Sequence, residues 1–349
     1  MAAASSSPAV CYLPTNDAYD RWSTVYDTDG NFLQKIDDIE MKNTLFPRLL
    51  AELRREDDQD QKQQEYEGGQ SPESKSKLQP RRVVVDLGCG TGRNTMLLLS
   101  PPAADVIREV IALDASRGML EVARARLSSF SSSSSPLPAY TPLPTTTTTA
   151  PTTPSPPREE KGECGGDGHP RLHLEHHDLL TTPAPPPRAR GTADAVVSTL
   201  VVEHVPLREF FAHVAAMLRP GGGMLLLSNM HADMGRISQA GFVDEVTGVK
   251  VRPTGSYAHT VAEVVEEAAR WGLCVLEDDG GEGEQEKGVG DGNKDGDGDG
   301  TGKRMKMKGV REVVVSEDMV EVLGPRSRKW VGVTCWFGCL FRKDGEGVD

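Results

Sequence analysis

Short apolar runs that end in acids or glycines recur through the middle of this chain. Val83, Val84 and Val85 lead directly into Asp86. Consecutive β-branched residues, apolar on both faces, predict a strand covered on two sides, as in a parallel sheet. Residues 109–114 (Glu-Val-Ile-Ala-Leu-Asp) and 172–179, with Asp178 near its end, repeat the form. Residues 193–200 and 224–228 are further apolar runs, and residues 271–277 make a candidate sixth strand. Between the second and third runs, Met119, Val122 and Ala123 fall at helical spacing. Residues 330–341 alternate instead. Val331, Val333, Cys335, Phe337, Cys339 and Phe341 share one face, and Trp330, Thr334, Trp336 and Leu340 the other. Both faces are largely apolar, which predicts a last strand buried on both sides, with a helix over 316–328 ahead of it. The N-terminal part, 12–55, reads as a helical region broken near Pro47.

The polar stretches divide this pattern into one domain with excursions. Residues 1–11 are Ala/Ser-rich and read as disordered, 56–80 as a polar linker, and 343–349 as a tail. The domain runs over 81–342, interrupted by Ser/Thr/Pro tract at 128–170 and Gly/Asp/Lys tract at 278–309, neither able to bury a core. The composition agrees: 37% hydrophobic, 5% aromatic, 36 Gly and 24 Pro is thin for 349 fully packed residues. Net charge is −13, but residues 278–300 hold nine acids and two lysines, so much of the excess sits in one excursion. An acidic chain with no basic face is not expected to bind nucleic acid. The six cysteines form no C-x-x-C pair, which argues against a disulfide framework or zinc site. Residues 1–20 lack Lys and Arg and no stretch is long enough for a membrane span, so a cytoplasmic enzyme is expected.

Candidate chemistry concentrates after the first apolar run. Asp86-Leu87-Gly88-Cys89-Gly90-Thr91-Gly92 joins a strand to a helix beginning near Asn94. Glycines at 88, 90 and 92 permit a sharp turn and let a ligand approach backbone. A dinucleotide fingerprint requires Gly where Arg93 stands. A carboxylate at Asp86 would repel a pyrophosphate and suits an amine. The second run also ends in an acid, Asp114, which in a nucleotide fold accepts from ribose hydroxyls.

The D-L-G-C-G-T-G string after a valine run resembles motif I of the class I S-adenosylmethionine-dependent methyltransferases. The order of the later segments is similar, including Leu-Arg-Pro-Gly-Gly-Gly at 218–223 before the fifth strand. The resemblance implies an α/β, Rossmann-like fold: a seven-stranded, mostly parallel sheet with an antiparallel last strand and a helical N-terminal cover. It implies S-adenosylmethionine as cofactor. Asp86, Gly88, Cys89, Gly90, Gly92 and Asn94 would surround the methionyl part. Asp114 and Ala115 would meet the ribose, Met119, Asp178 and Leu179 the adenine, and Leu200 would line the site from the fourth strand. Methyl transfer would proceed by in-line displacement, which rests largely on alignment.

Tyr19, Trp22 and Tyr26 recur at helical spacing in a Y-D-x-W-x-x-x-Y-D pattern. It resembles the N-terminal cover of ubiquinone-type and other small-molecule methyltransferases, and implies a lid over cofactor and acceptor. His204, after the fourth strand, and His231, after the fifth, are the candidate catalytic residues, the first as a general base and the second facing the substrate. The connection at 232–258 is long and should shape the acceptor pocket, with Phe242 and Tyr257 as wall residues. His173, His176 and His177 do not share a strand face, so no metal site is expected. A small molecule is the expected acceptor. A protein or RNA acceptor, or an inactive cofactor-binding scaffold, stays open.

Overall fold

The computed structural model describes residues 10–67, 82–128, 170–277 and 307–344, with backbone alone for 57–67. In chain order the N-terminal part holds β1 (Val10–Leu13), α1 (Thr15–Trp22), α2 (Phe32–Glu40) and α3 (Phe46–Glu67). Strand and helix then alternate: β2 (Arg82–Leu87), α4 (Arg93–Leu99), β3 (Ile107–Asp114), α5 (Arg117–Leu127), β4 (Arg171–His176), β5 (Ala195–Thr199), α6 (Leu207–Met217) and β6 (Met224–Met230). A connecting region follows, with α7 (Ala232–Ile237), β7 (Phe242–Val243) and β8 (Lys250–Pro253). The chain closes with α8 (Val261–Arg270), β9 (Leu273–Val275), β10 (Val310–Val314), α9 (Met319–Leu323) and β11 (Thr334–Lys343).

The main sheet has the order β10-β11-β6-β5-β2-β3-β4, with β9 also on β11. Strands β2 to β6 pair in parallel, and β11 enters antiparallel beside β6. This is the expected Rossmann-like arrangement with one correction: the sheet has eight strands. The extra one comes from a split. β9 and β10 lie end to end on the same side of β11, against Phe341–Lys343 and Thr334–Cys339 respectively. They are two halves of the sixth strand, parted by the excursion after Glu277, which is why the apolar pattern at 271–277 stopped short.

Valine runs bury on both faces as their sequence requires. Val84 packs with α3, α4 and Trp336 on one side of the sheet. Val85 packs with Phe210, Phe211 and Phe337 on the other. Each such side chain removed from water contributes about 1.5–3 kcal/mol.

Four boundaries differ from expectation. The cover begins with a strand, β1, which pairs in parallel with β8 in a small sheet of order β1-β8-β7. Pro47 does not break the helical region: a π-helical turn at Met41–Leu45 precedes it and α3 continues. Residues 56–67 extend α3 instead of forming linker, consistent with the helix propensity of Glu, Gln, Lys and Arg. The helix over 316–328 is only α9 and a 3₁₀ turn at Pro325–Trp330, divided by Gly324 at φ 93°. Residues 1–9, 68–80 and most of both excursions lie outside the described residues. Among those described, no helix is long and apolar enough to cross a membrane.

Candidate active site

The turn after β2 spends its backbone donors inside the protein. Gly88 and Cys89 N–H groups donate to Leu113 O at 2.8 and 2.9 Å, and Gly92 N–H to Cys89 O. Gly90 N–H donates to Asp114 Oδ2 at 2.7 Å, and Ser116 N–H to Asp114 Oδ1 at 2.8 Å. No amide in this set is left to cradle a pyrophosphate, unlike a phosphate-binding glycine loop. Burial pushes the Asp114 carboxyl up to about 6, against the pull of those two amides.

Above this turn lies a cavity partly open to solvent. Gly88, Gly90, Asp114, Ala115 and Met119 line it, together with Asp178, Leu179 and Leu180. No atom stands within 4 Å of where a Cβ on Gly90 would be, so the glycine leaves open space in the cavity. A Cβ on Gly88 would meet Val201 at 2.2 Å. Burial works against the Asp178 carboxylate, but the Leu180 amide, Asn16 and Thr181 outweigh it and hold it below the ordinary value. The set fits a nucleoside with an amino-acid tail: two acids for hydroxyls and an amino group, apolar walls for a base.

A second cavity, also partly open to solvent, adjoins the first. Tyr19, Tyr26 and Leu200 line both. Leu200 stands at φ 57°, a left-handed conformation that a branched residue adopts only under constraint. Phe32, Met230, Met234 and Trp330 give the second cavity apolar surface, and Lys250, Arg326 and Lys329 give it charge. Gly241 belongs to the same wall, and a Cβ there would meet Val251 O at 2.4 Å. Glu203, only 3% exposed, also lines it, and Oε2 has no partner in hydrogen-bond geometry. Burial pushes the Glu203 carboxyl up to about 7.

Helix α1 lies across the first cavity and is tied down at several points. Asn16 donates to Asp178 Oδ2 at 2.9 Å. Tyr19 Oη lies 2.7 Å from His204 Nε2. The other ring nitrogen, Nδ1, faces Gly255 O at 3.1 Å and must carry the proton, so Tyr19 donates to Nε2. Burial keeps His204 neutral, pushing it down to about 4. Farther along, Asp27 accepts from Thr91 Oγ1 at 2.9 Å and Arg126 Nη2 at 2.6 Å.

Comparison with known proteins decides the family. A family model described as a methyltransferase domain matches residues 47–276. An uncharacterized methyltransferase of Emericella nidulans is 39% identical over 335 residues, 94% of this chain and 90% of that one. The chain belongs to the class I S-adenosylmethionine-dependent methyltransferases. Solved structures similar to it include an S-adenosylmethionine dependent methyltransferase from Mesorhizobium loti, 17% identical, covering 75% of this chain and 90% of that one at TM-score 0.40. Another is a putative S-adenosylmethionine dependent methyltransferase from Listeria monocytogenes, 14% identical, covering 76% and 90% at TM-score 0.42.

In this methyltransferase, most expected cofactor residues meet at the first cavity: Gly88, Gly90, Asp114, Ala115, Met119, Asp178, Leu179, Leu200, Tyr19 and Tyr26. Others do not. Asp86 is 1% exposed and accepts from Thr95 Oγ1 at 2.6 Å beneath the turn. Cys89 packs with Ala112 and Leu120. Gly92 is the left-handed N-cap of α4, and a Cβ there would press on Leu127 and Ala123. Asn94 is buried, donating to Thr199 Oγ1 at 2.7 Å. Trp22 faces the second cavity instead of the first and stacks on Phe242 at 5.3 Å.

Of the two candidate catalytic histidines, His204 lines the first cavity. His231 reaches neither cavity. Fully buried, it caps α7 by accepting from Asp233 N–H at 3.1 Å, and its Nε2 lies 3.1 Å from Glu312. The 232–258 connection does supply second-cavity wall, through Met234, Gln239 and Lys250, but Phe242 and Tyr257 line neither cavity. The histidines near 173–177 are occupied separately: His173 faces Glu109, and His176 Nε2 meets Ala115 O. Asn16, His177 and Glu203 carry no motif, and only adjacency to Asp178 and His204 hints at the last two.

Proposed function

We propose that this methyltransferase acts on a small-molecule acceptor held in the second cavity. The observation that best supports this is the common wall of Tyr19, Tyr26 and Leu200 between the two cavities. Bound S-adenosylmethionine supplies a methyl group already activated on a sulfonium. Asp114 would accept from its ribose and Asp178 from its adenine amino group, with Met119 and Leu179 against the ring. Alignment and exclusion of water then account for much of the rate. Helix α1 serves both, since it covers one cavity and walls the other. Glu203 is the group placed to take a proton from the acceptor, being in the acceptor cavity with a carboxyl near 7. His204, its Nε2 engaged by Tyr19, orients that phenol at the boundary.

The test is transfer from methyl-labelled S-adenosylmethionine into a host extract separated into metabolite, protein and RNA fractions. Label in a metabolite is expected. Label confined to protein or RNA would overturn the acceptor class. Tight binding of S-adenosylhomocysteine with no label anywhere would mark a cofactor-binding scaffold instead.

A further inference from the structure

The second cavity carries charge against the background of the chain. The whole sequence has net charge −13, yet the charged residues of this lining are Lys250, Arg326, Lys329 and Glu203. Arg326 and Lys329 are exposed and Lys250 half-buried, whereas Glu203 is buried. Among the described residues, none of the three cations is ion-paired. Arg326 donates to the backbone oxygen of Asp29, and Lys329 lies over the Trp330 ring at 5.2 Å. The nearby Asp29 carboxylate is already engaged, accepting from the Trp22 indole at 3.0 Å and Asn31 N–H at 2.9 Å. Partial burial, followed by the charges of Arg252, Lys329 and Arg326, holds the Lys250 ammonium below its ordinary value. Like charges gathered at a concave apolar site favour an anion there and raise its local concentration.

We infer that the acceptor is a small organic anion, its carboxylate or phosphate seated on Lys250, Arg326 and Lys329 and its apolar body among Phe32, Trp330 and the two methionines. The planar fork of Arg326 suits either oxyanion, and the paired ammonium groups add charge without fixed geometry. Trp330 belongs to both parts of the site: its ring is cavity wall, and the Lys329 ammonium lies over it. The inference rests on the second cavity being the acceptor site.

Binding to the protein–S-adenosylhomocysteine complex tests it, with benzoate, phenyl phosphate and neutral benzamide as probes. At least one anion is expected to bind at least tenfold more tightly than benzamide, and whichever anion does so identifies the oxyanion. The Lys250→Met/Arg326→Met/Lys329→Met variant should lose at least tenfold in anion affinity while keeping its affinity for S-adenosylhomocysteine. Should that triple variant fail to fold, Lys329→Gln is expected to weaken the anion severalfold, since Lys329 is exposed. Equal binding of benzamide and both anions, or anion affinity that survives these substitutions, would overturn the inference. Failure of S-adenosylhomocysteine to bind the wild type would instead overturn the cofactor placement beneath it.

Discussion

Asp20 Oδ1 accepts the N–H of Gly118 at 2.8 Å and the hydroxyl of Ser116 at 2.6 Å. A residue of the cover thus supplies an acceptor to the first turn of α5, where exposed N–H groups favour a carboxylate. The approach is close enough that a Cβ on Gly118 would stand 2.8 Å from both Asp20 O and Ser23 Oγ. Gly118→Ala should therefore push α1 away from the first cavity without disturbing the sheet. Affinity for S-adenosylhomocysteine is expected to fall about tenfold, a loss of roughly 1.4 kcal/mol, with little change in melting temperature. Calorimetry beside a thermal melt reads both, and unchanged affinity would mean the cover does not depend on this contact.

Cofactor binding should depend on pH through Asp114. Its carboxyl is held near 6, whereas His204 and His177 sit near 4 and Asp178 lies below the ordinary aspartate value. Ribose hydroxyls bond best to the ionised carboxylate. Affinity for S-adenosylhomocysteine should thus be full above about pH 7 and decline as pH falls through 6, approaching tenfold per unit. Asp114→Asn should bind weakly and without that decline. A wild-type profile flat from pH 5 to 7.5 would contradict this.

Turnover should report Glu203 instead. A base works only when deprotonated, so kcat should rise with pH through about 7. Glu203→Gln should lower kcat by about 10²–10⁴ and remove that limb, leaving cofactor affinity within a factor of two. Steady-state rates from pH 5.5 to 9 with any acceptor that takes label would decide it. A Gln variant retaining the wild-type pH limb would exclude Glu203 as base.

Asp86 should cost stability at neutral pH and above. Burial raises its carboxyl from 3.8 to about 7, with Thr95 opposing. A raised folded-state pKa favours folding below the unfolded value, and that advantage disappears as pH climbs from about 4 to 7. Asp86→Asn keeps an oxygen for the Thr95 hydroxyl and escapes the charge. At pH 8 it should be more stable than wild type by up to a few kcal/mol, roughly, and by much less at pH 5. Urea melts at both pH values would show the gap widen, or show no such trend.

Strands were legible in the sequence where both faces are apolar. Val83–Val85 and the alternation ending at Phe341 each read as buried strands. β2 is placed so, whereas β11 begins only at Thr334, with Trp330 in the 3₁₀ turn. Val331, Val333 and Cys335 pack on the side opposite Phe337, Cys339 and Phe341. The acid closing the second run and the glycine turn were legible for the same reason, since backbone geometry constrains them. Asp86 and Asn94 were misplaced because spacing locates a residue in the turn but not the direction of its side chain. The cover's aromatics carried a helical period, whereas its anchoring acids did not: Asp20 and Asp27 find partners 98 and 99 residues away. The second cavity is assembled from α1, α2, the 203 turn, β8 and the 3₁₀ turn at Pro325–Trp330. No local pattern announces residues so scattered.

The split sixth strand has a counterpart across the molecule. One excursion departs from β9 and returns at β10 on one rim of the sheet, and the other enters just before β4 on the opposite rim. Gly309, whose Cβ would collide with Leu276 O at 2.3 Å, closes the first tightly against its point of departure. Doubling the length of either excursion would cost only about 0.6 kcal/mol in closure entropy. Inheritance can thus stretch or trim both without disturbing any hydrogen-bonded neighbour of the central strands, and relatives of this enzyme should vary most in size at those two rims.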